Sequence, residues 1–282
     1  MIPRAHVTAW RREAPWATDA QVEQDLVLSR ALVELFAHPP LAKALAFRGG
    51  TALHKLFFVP ASRYSEDIDL VQVDAGAVGP ILDAVRHVLN PWLGAPKSSA
   101  AVASASLVYR FETTARPVQQ MRVKIEINTR EHFAVLGYRT RQFKVSNPWF
   151  SGSAAINTYE LAELLATKLR ALYQRRKGRD LYDLWLGLGR DDVRDDQVQE
   201  CFERYMKASG AAVSRAQFEK SLAGKLDSQV FVDDLAPLIR DADKYDVRRA
   251  ADVVRTRLIA RLKGKPWKAS RPSPPSETGG AM

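Results

Sequence analysis

The sequence predicts an α/β (α+β) protein in which a mixed-sheet head precedes a helical domain. Residues 104–113 and 121–128 alternate apolar and polar side chains, which is typical of half-buried strands. Residues 191–262 instead repeat apolar side chains at helical spacing. Because strands and mixed structure fill the first half and helices the second, the pattern favours a head followed by a helical domain. We place an α/β domain at 1–153, a helical domain at 154–263 and a disordered basic tail, rich in Pro, Ser, Gly and Lys, at 264–282.

The first half alternates short helices with strands. Residues 1–18 lack a regular pattern, and a helix is expected over 19–36, with Thr18 or Asp19 as its N-cap. Two prolines then stop that helix, because proline cannot continue the backbone hydrogen bonding. The elements expected after it are a strand ending at Phe47, a short helix over 51–57, a strand over 67–73, a helix over 78–89 and strands over 104–113, 121–128 and 138–145.

A capping signal marks the start of the helical half. Asn157, Thr158 and Glu160 resemble a capping box, so we expect a helix from there to about Arg175. A second helix is expected from about Asp180. The remaining helical pattern is interrupted near Gly210 and Gly224.

The composition indicates a cytoplasmic protein with a polyanionic partner. The chain has 282 residues, 46% of them hydrophobic, which is enough for a real core. Its formal net charge of +10 favours a nucleic acid as partner. The single cysteine, Cys201, excludes an internal disulfide and a cysteine-based metal site, and it fits a reducing compartment. Because no apolar run approaches the length of a membrane span, neither a signal peptide nor a membrane partner is expected.

A glycine turn and an acidic strand together indicate a nucleotide site. Gly49 and Gly50 follow a short apolar run, so their backbone N–H groups can approach phosphate oxygens. Asp67 and Asp69 lie two residues apart in a strand, so both carboxylates leave the same face. Oxygen ligands on a rigid strand suit Mg²⁺, which takes further ligands from water and phosphates. The alternative is a pair of solvent-facing acids on an edge strand, although aspartate is disfavoured in strands.

Glu126 is the candidate third carboxylate. It lies in the middle of the strand at 121–128, with Lys124 and Asn128 on the same face. If this strand neighbours the strand of Asp67, the three carboxylates can hold one or two metal ions. A surface ion pair between Glu126 and Lys124 is the equally weighted alternative.

The helical half adds a lysine and two acids. Lys168 borders the apolar face of its helix, so it either neutralises a triphosphate or extends along the core edge to water. Asp180 and Asp183 lie three residues apart on one helical face. Asp180 is a cap or a site residue, and Asp183 is placed to position Lys168 or a metal-bound water. Ser65, two residues before Asp67, binds phosphate, accepts a phosphoryl group or caps a turn.

Five motifs in order resemble those of the AbiEii-type nucleotidyltransferase toxins, which include the mycobacterial MenT group, within the DNA-polymerase-β-like superfamily. They span about residues 47–186. They read Arg-Gly-Gly-Thr-Ala-Leu-His-Lys, Ser-Glu-Asp-Ile-Asp-Leu, Lys-Ile-Glu-Ile-Asn, Leu-Ala-Thr-Lys-Leu and Arg-Asp-Leu-Tyr-Asp-Leu. Beyond about residue 190 only a helical character is shared.

The resemblance implies a polymerase-β-like nucleotidyltransferase head and a role for each motif. The nucleotide would be held by the glycine turn and its neighbours, and the metal by the three carboxylates. The implied nucleotide-binding residues are Arg48, Gly49, Gly50, Thr51, Ser65 and Lys168; the metal ligands are Asp67, Asp69 and Glu126; the catalytic residues are Asp67, Asp69, Glu126, Lys168 and Asp183, with Asp180 and Lys124 as further candidates. Ser65 is also implied as a phosphorylation site, where a phosphate would place roughly two negative charges beside the metal ligands.

The resemblance also implies an activity and partners. It predicts an enzyme that uses Mg²⁺ or Mn²⁺ to transfer a nucleoside monophosphate from an NTP to the 3′ end of tRNA. This modification would block aminoacylation and therefore translation, and a cognate antitoxin protein would restrain it. Two alternatives remain: nucleotidylation of a protein or small-molecule hydroxyl, and a non-catalytic RNA-binding partner.

Overall fold

A mixed β-sheet forms the centre of the molecule. The computed structural model describes residues 2–239 and 245–268. Within these residues seven strands form one sheet with the order β3-β4-β5-β2-β1-β7-β6. The strands are β1 (Leu45–Arg48), β2 (Asp67–Gln72), β3 (Lys97–Ala100), β4 (Ser104–Glu112), β5 (Gln120–Asn128), β6 (Tyr138–Asn147) and β7 (Phe150–Tyr159).

Helices surround this sheet and continue the chain after it. The helices are α1 (Arg4–Trp10), α2 (Asp19–Ala37), α3 (Pro39–Ala44), α4 (Gly49–Ala52), α5 (Gly79–Leu93), α6 (Leu161–Gln174), α7 (Gly178–Leu188), α8 (Asp195–Ala208), α9 (Arg215–Leu226), α10 (Gln229–Asp233) and α11 (Val247–Arg257). A π-helical turn, Leu53–Phe57, extends α4, and a 3₁₀ turn, Ile259–Arg261, follows α11. The predicted α/β class is confirmed. Among the described residues, no helix has the length and apolar character that crossing a membrane requires.

The strand pairing fixes the position of the acidic strand. β2 runs antiparallel to β1 and parallel to β5, so it lies between the glycine-turn strand and the strand of Glu126. The alternation seen in the sequence explains the burial: Val123, Ile125 and Ile127 of β5 are fully buried on one face. The other face of β5 carries its polar residues. This pairing therefore sets the polar faces of β1, β2 and β5 side by side.

The core does not separate the two halves of the chain. Buried residues of the sheet, such as Phe47 and Ile125, belong to the same apolar cluster as Leu169 of α6 and Leu184 of α7. The proposed boundary at residues 153/154 falls inside β7, which continues to Tyr159. The division into two domains stays a prediction, and the end of β7 is the structural place to draw it.

Several local predictions are wrong, and each has a physical reason. The capping box at Asn157 and Thr158 does not exist, because both residues pair with β6 and the helix α6 starts at Leu161 without a side-chain cap. The N-terminal region contains α1, whose Trp10 is buried. Gly224 lies inside α9 rather than at a break. The sequence also missed β3 and β7, whose many Ser, Ala and Gly residues give no clear alternation.

The predicted N-cap and the C-terminal tail have different outcomes. Thr18 caps α2, and its side chain and that of Gln21 form the two reciprocal hydrogen bonds of a capping box. The predicted tail lies mostly outside the described residues, since only 264–268 are described. Within that short piece the backbone N–H of Trp267 donates a 2.6 Å hydrogen bond to Glu219.

Candidate active site

The two aspartates of β2 lie at the centre of a polar sheet face. In the strand register Asp69 is paired with Arg48 of β1 on one side and with Glu126 of β5 on the other. Asp67 is paired with Lys124. Neighbouring strands are about 4.8 Å apart, so these side chains leave one face at close range. The sequence left open whether the strands of Asp67 and Glu126 are neighbours, and the structure makes them neighbours.

Both aspartates are ionisable groups in an unfavourable position for charge. Burial, then the charges of Asp69 and Glu66, raises the pKa of Asp67 to about 6. Burial also raises the pKa of Asp69, against the attraction of Arg48 and Lys168. The Oδ1 atom of Asp67 is buried and has no hydrogen-bond partner among the described residues. A buried carboxylate oxygen without a partner costs free energy, so this pair fits a bound cation.

Glu126 shares the site but is already paired. Lys124 donates a hydrogen bond to its carboxylate, so the ion pair considered as an alternative does form. Within residues 2–239 and 245–268 no group of three His, Cys, Asp or Glu side chains is placed to hold a metal ion. The structure thus brings Glu126 beside Asp69 but does not assemble the predicted three-carboxylate centre. Asp67 and Asp69 are the residues whose environment fits a metal.

The two glycines make room for charged side chains. Gly49 has φ +81°, and a Cβ atom there would lie 2.1 Å from the carboxylate of Asp69. A Cβ atom at Gly50 would lie 2.3 Å from the guanidinium of Arg63. The glycine turn therefore permits the close packing of Asp69 and Arg63 against the start of α4. This requirement holds whether or not a phosphate also binds there.

Thr51 and Ser65 connect the glycine turn to β2. The hydroxyl of Thr51 lies 2.8 Å from the hydroxyl of Ser65 and 2.5 Å from the carbonyl oxygen of Asp67. Thr51 is buried, whereas Ser65 is half-buried and faces a cleft. Ser65 is therefore accessible to a ligand in this cleft, whereas the buried Thr51 links the glycine turn to β2 through its hydroxyl.

Lys168 forms ion pairs with two acids of α7. Its Nζ atom lies 3.0 Å from Asp180 and 2.9 Å from Asp183, and only 7% of its side chain is exposed. Asp180 and Asp183 are fully buried. The alternative in which Lys168 extends along the core edge to water is wrong, because both acids hold its ammonium inside the protein. Asp180 and Asp183 position Lys168 and do not line either cleft, so we treat them as positioning residues.

Arg63 and His54 are site residues that the sequence analysis missed. Arg63 donates two hydrogen bonds of 2.7 Å to the two oxygens of Asp183. Burial, followed by the charge of Arg63, lowers the pKa of His54 to about 4. Nδ1 of the neutral ring accepts a hydrogen bond from the Ser62 N–H, so Nε2 carries the proton and donates it to Asp183 at 3.0 Å.

These contacts leave Asp183 fully satisfied. Burial alone would raise the pKa of Asp183. The charges of Arg63 and Lys168 outweigh this effect and hold the pKa well below its usual range. Arg63 lies in an irregular segment, and His54 lies on the π-helical turn after α4. No local pattern in the sequence reveals that both reach Asp183.

A second set of arginines surrounds the glycine turn and α6. Glu131 accepts hydrogen bonds of 2.5 Å from both Arg48 and Arg170. Arg175 donates to both oxygens of Asp180, while 53% of its side chain remains exposed. Arg170 and Arg175 are further site residues that the predicted set lacks. Arg170 lies on the same helix as Lys168, whereas Arg175 follows the end of that helix in an extended conformation.

Two neighbouring clefts meet above the carboxylates. The first, of ≈ 250 Å³, has Arg48, Gly49 and Asn128 in its wall and is called the Arg48 cleft below. The second, of ≈ 270 Å³, has Gly50, Ser65 and Asp67 in its wall and is called the Ser65 cleft. Both are lined by Asp69, Glu126, Lys168 and Arg175. A site of this kind can hold an anionic ligand against the cations while the carboxylates hold a divalent ion.

The fold is that of nucleotidyltransferase toxins. Over 93% of this chain and 91% of the other, the structure is similar to MenT4, a nucleotidyltransferase toxin from Mycobacterium tuberculosis H37Rv, with a TM-score of 0.70 and 18% identity. It is also similar to JHP933 from Helicobacter pylori over 85% of this chain and 90% of the other, with a TM-score of 0.53 and 16% identity. At these identities the similarity establishes the fold alone. A search of curated proteins gave no match.

The family is established by a sequence model rather than by these structures. The model described as "Nucleotidyl transferase AbiEii toxin, Type IV TA system" matches residues 30–253. The chain belongs to this family and is a nucleotidyltransferase toxin of a type IV toxin–antitoxin system. The family therefore implies an antitoxin as partner.

Proposed function

We propose that this toxin transfers a nucleoside monophosphate from an NTP to the 3′ end of tRNA in the cytoplasm, with Mg²⁺ or Mn²⁺ held by Asp67 and Asp69. The observation that carries the proposal is the half-buried carboxylate pair of β2 in a cleft that is also lined by cations. Asp67 offers an oxygen atom without a partner, and the pKa of both carboxyls is raised. The bound ion would polarise the phosphates and steady the developing charge.

Other residues would bind the triphosphate, accept the proton and position Lys168. Lys168 and Arg175, which line both clefts, would bind the triphosphate, and the N–H groups of the glycine turn would face its oxygens. The 3′ oxygen of the acceptor attacks the α-phosphorus, and the bond from that phosphorus to the bridging oxygen breaks. Pyrophosphate leaves, and the proton of the 3′ hydroxyl passes to Glu126. Asp180 and Asp183 keep Lys168 in place during this exchange.

The choice of tRNA as acceptor is supported by charge and by the family resemblance. The chain carries a net charge of +10, and a tRNA acceptor stem is recognised largely through its backbone and shape. Addition at the 3′ end would prevent aminoacylation and so stop translation. A phosphate on Ser65, which faces the Ser65 cleft, would repel the triphosphate and is the proposed site of regulation.

The proposal is tested by labelling RNA with each of the four α-³²P NTPs. Asp67→Asn and Asp69→Asn each remove a metal-binding charge, and we expect transfer to fall by at least about a hundredfold. Asp83→Asn on α5 is the matched control, since 76% of the Asp83 side chain is exposed and it lies outside both clefts. Unchanged transfer by Asp67→Asn would refute the proposal.

The same assay separates the two alternative functions. Label that survives RNase and is lost to protease would indicate a protein acceptor. RNA binding without transfer, indifferent to Asp67→Asn, would indicate a non-catalytic RNA-binding protein. The half-buried carboxylate pair argues against that last outcome, because two neighbouring like charges have no evident structural use there.

A further inference from the structure

The polar face of β4 and β5 extends beyond the clefts. Their buried face carries Tyr109 and Val123, whereas Arg110 and Arg122 on the opposite face are exposed. Along β5 this face runs from Arg122 through Lys124 to Glu126, which lines both clefts. Alternate residues of a strand are about 6.6 Å apart, so Arg122 lies about 13 Å from Glu126. A few nucleotides of an extended strand span this distance.

Arg110 and Arg122 are placed directly opposite each other. The antiparallel register of β4 and β5 pairs these two residues, so both guanidinium groups leave the same face side by side. Like charges directly opposite destabilise a sheet. In the described part of the chain neither guanidinium has a hydrogen bond or an ion pair, whereas surface arginines such as Arg190 and Arg194 pair with neighbouring aspartates. The Arg110–Arg122 face therefore carries a cost that a bound polyanion would remove.

This face continues directly into the catalytic cleft. Lys124, the next residue of the face, lines the Ser65 cleft together with Glu126 and Asp67. Arg175 and Arg179 line the same cleft, so it holds further cations besides Lys124. The cleft has a volume of ≈ 270 Å³, close to the lower limit of about 300 Å³ for ligand pockets, so its size suits one terminal nucleotide. The arrangement suits an acceptor that crosses the sheet face and inserts its terminus beside Glu126.

We infer that the Arg110–Arg122 face binds the phosphodiester backbone of the single-stranded 3′ end of the RNA acceptor. The inference rests on the proposed transfer to RNA and adds the direction from which the acceptor enters. Arg110 and Arg122 bind phosphates and take no part in the chemistry. The nucleotide triphosphate is bound by other cations, so its affinity is independent of this face.

The test is the double variant Arg110→Gln/Arg122→Gln. Binding of fluorescein-labelled deacylated tRNA, and of a single-stranded oligoribonucleotide of roughly 10 nucleotides, is measured by anisotropy without NTP. Salt is varied between about 0.05 and 0.2 M. Losing two phosphate contacts lowers the affinity for both RNAs by roughly tenfold near physiological salt and makes the salt slope shallower by about 1.4. In the transfer assay KM for RNA rises while KM for NTP stays unchanged.

The matched control is Arg248→Gln/Arg249→Gln on α11. Both arginines are exposed, and their backbone N–H groups, not their side chains, bind the helix cap Asp246. This control keeps the affinity, the salt slope and the unfolding temperature of the wild type, whereas the Arg110/Arg122 variant unfolds at an equal or slightly higher temperature because the repulsion between the two arginines is gone. If the Arg110/Arg122 variant behaves like the control, the inference is overturned. It is also overturned if tRNA binding weakens while oligoribonucleotide binding does not, because the face would then contact a duplex.

The two proposals fail in different ways. Wild-type protein that binds RNA through this face but transfers no nucleotide refutes the proposed function and leaves the inference standing. Transfer that persists with an unchanged KM for RNA in the double variant refutes the inference alone. Wild-type protein that binds neither RNA overturns the inference, and the labelling assay then decides the function separately.

Discussion

At the scale of single residues, the candidate site requires a glycine at position 49, because a side chain there would not fit. Gly49 occupies a left-handed conformation beside Asp69, and any Cβ atom there would collide with the carboxylate. The sequence predicted that Gly49 binds phosphate. The structure adds that this glycine determines where Asp69 can lie, which is a requirement independent of any ligand.

A pair of alanine variants separates backbone strain from this collision. Gly49 and Gly94 have φ values of +81° and +77°, but a Cβ atom at Gly94 would meet nothing within 4 Å. We expect both Gly49→Ala and Gly94→Ala to lose about 1 kcal/mol of stability from strain. Only Gly49→Ala should also lose nucleotidyl transfer, because Asp69 must move. Chemical unfolding and the labelling assay measure the two effects, and equal activity of the two variants would contradict this account.

The raised pKa of Asp67 predicts a stability that depends on pH. The pKa of Asp67 is about 6 in the folded protein, whereas that of an unperturbed aspartate is 3.8. Keeping Asp67 ionised therefore costs folding free energy above about pH 6. Asp67→Asn removes this cost, so in EDTA the variant should be more stable near pH 8, by at most about 3 kcal/mol. The gain should shrink as the pH falls through 6 and vanish below about 4, where the carboxyl is protonated in both states.

Thermal unfolding across this pH range measures the effect of Asp67→Asn. Asp83→Asn serves again as control, since its exposed side chain has no such cost to remove. A variant that is less stable than the wild type near pH 8 would show that the carboxylate is satisfied in the folded protein.

At the scale of elements, the contact between α6 and α7 positions Lys168. Lys168 comes from α6, and Asp180 and Asp183 come from α7. Arg63, from the segment before β2, also reaches Asp183. Four charged groups from three parts of the chain are thus packed together, and each needs the others because no water compensates a fully buried charge.

The two acids of α7 should differ in their contribution to stability. Asp183→Asn leaves Arg63 and Lys168 with buried positive charge and should cost about 3–5 kcal/mol. Asp180→Asn should cost less, because Arg175 is 53% exposed and can turn to water. Urea unfolding of both variants measures the difference. A cost for Asp180→Asn equal to or larger than that for Asp183→Asn would contradict this description of the network.

At the scale of the whole molecule, the sequence predicted the fold class and the residues of the candidate site better than the contacts between them. The alternation in β4 and β5 and the acids of β2 are local signals, and the corresponding strands were predicted. β7 was missed because its sequence, with Gly152 and several serines and alanines, gives no alternation; its pairing with β6 and β1 decides its structure.

The N-terminal region is a second part of the chain whose contacts the local sequence pattern did not predict. Residues 1–29 lie outside the family match, and no regular pattern was expected over 1–18. In the structure the indole N–H groups of Trp10 and Trp16 both donate to the buried Asp25 of α2, as does Lys55 from the π-helical turn. This region is therefore part of the support beneath the glycine turn. Such contacts join residues far apart in the chain, and local spacing carries no information about them.

By itself the sequence determined that a glycine turn, an acidic strand and a helix carrying Lys168 occur in the order of a nucleotidyltransferase. It did so because turn residues, strand alternation and helical spacing are encoded within a few residues. Only the tertiary structure decided that Asp183 is bound by Arg63, His54 and Lys168, that Glu126 pairs with Lys124, and that Asp67 keeps an oxygen without a partner. The physical reason is that burial and ion pairing depend on distances between elements, and packing sets those distances.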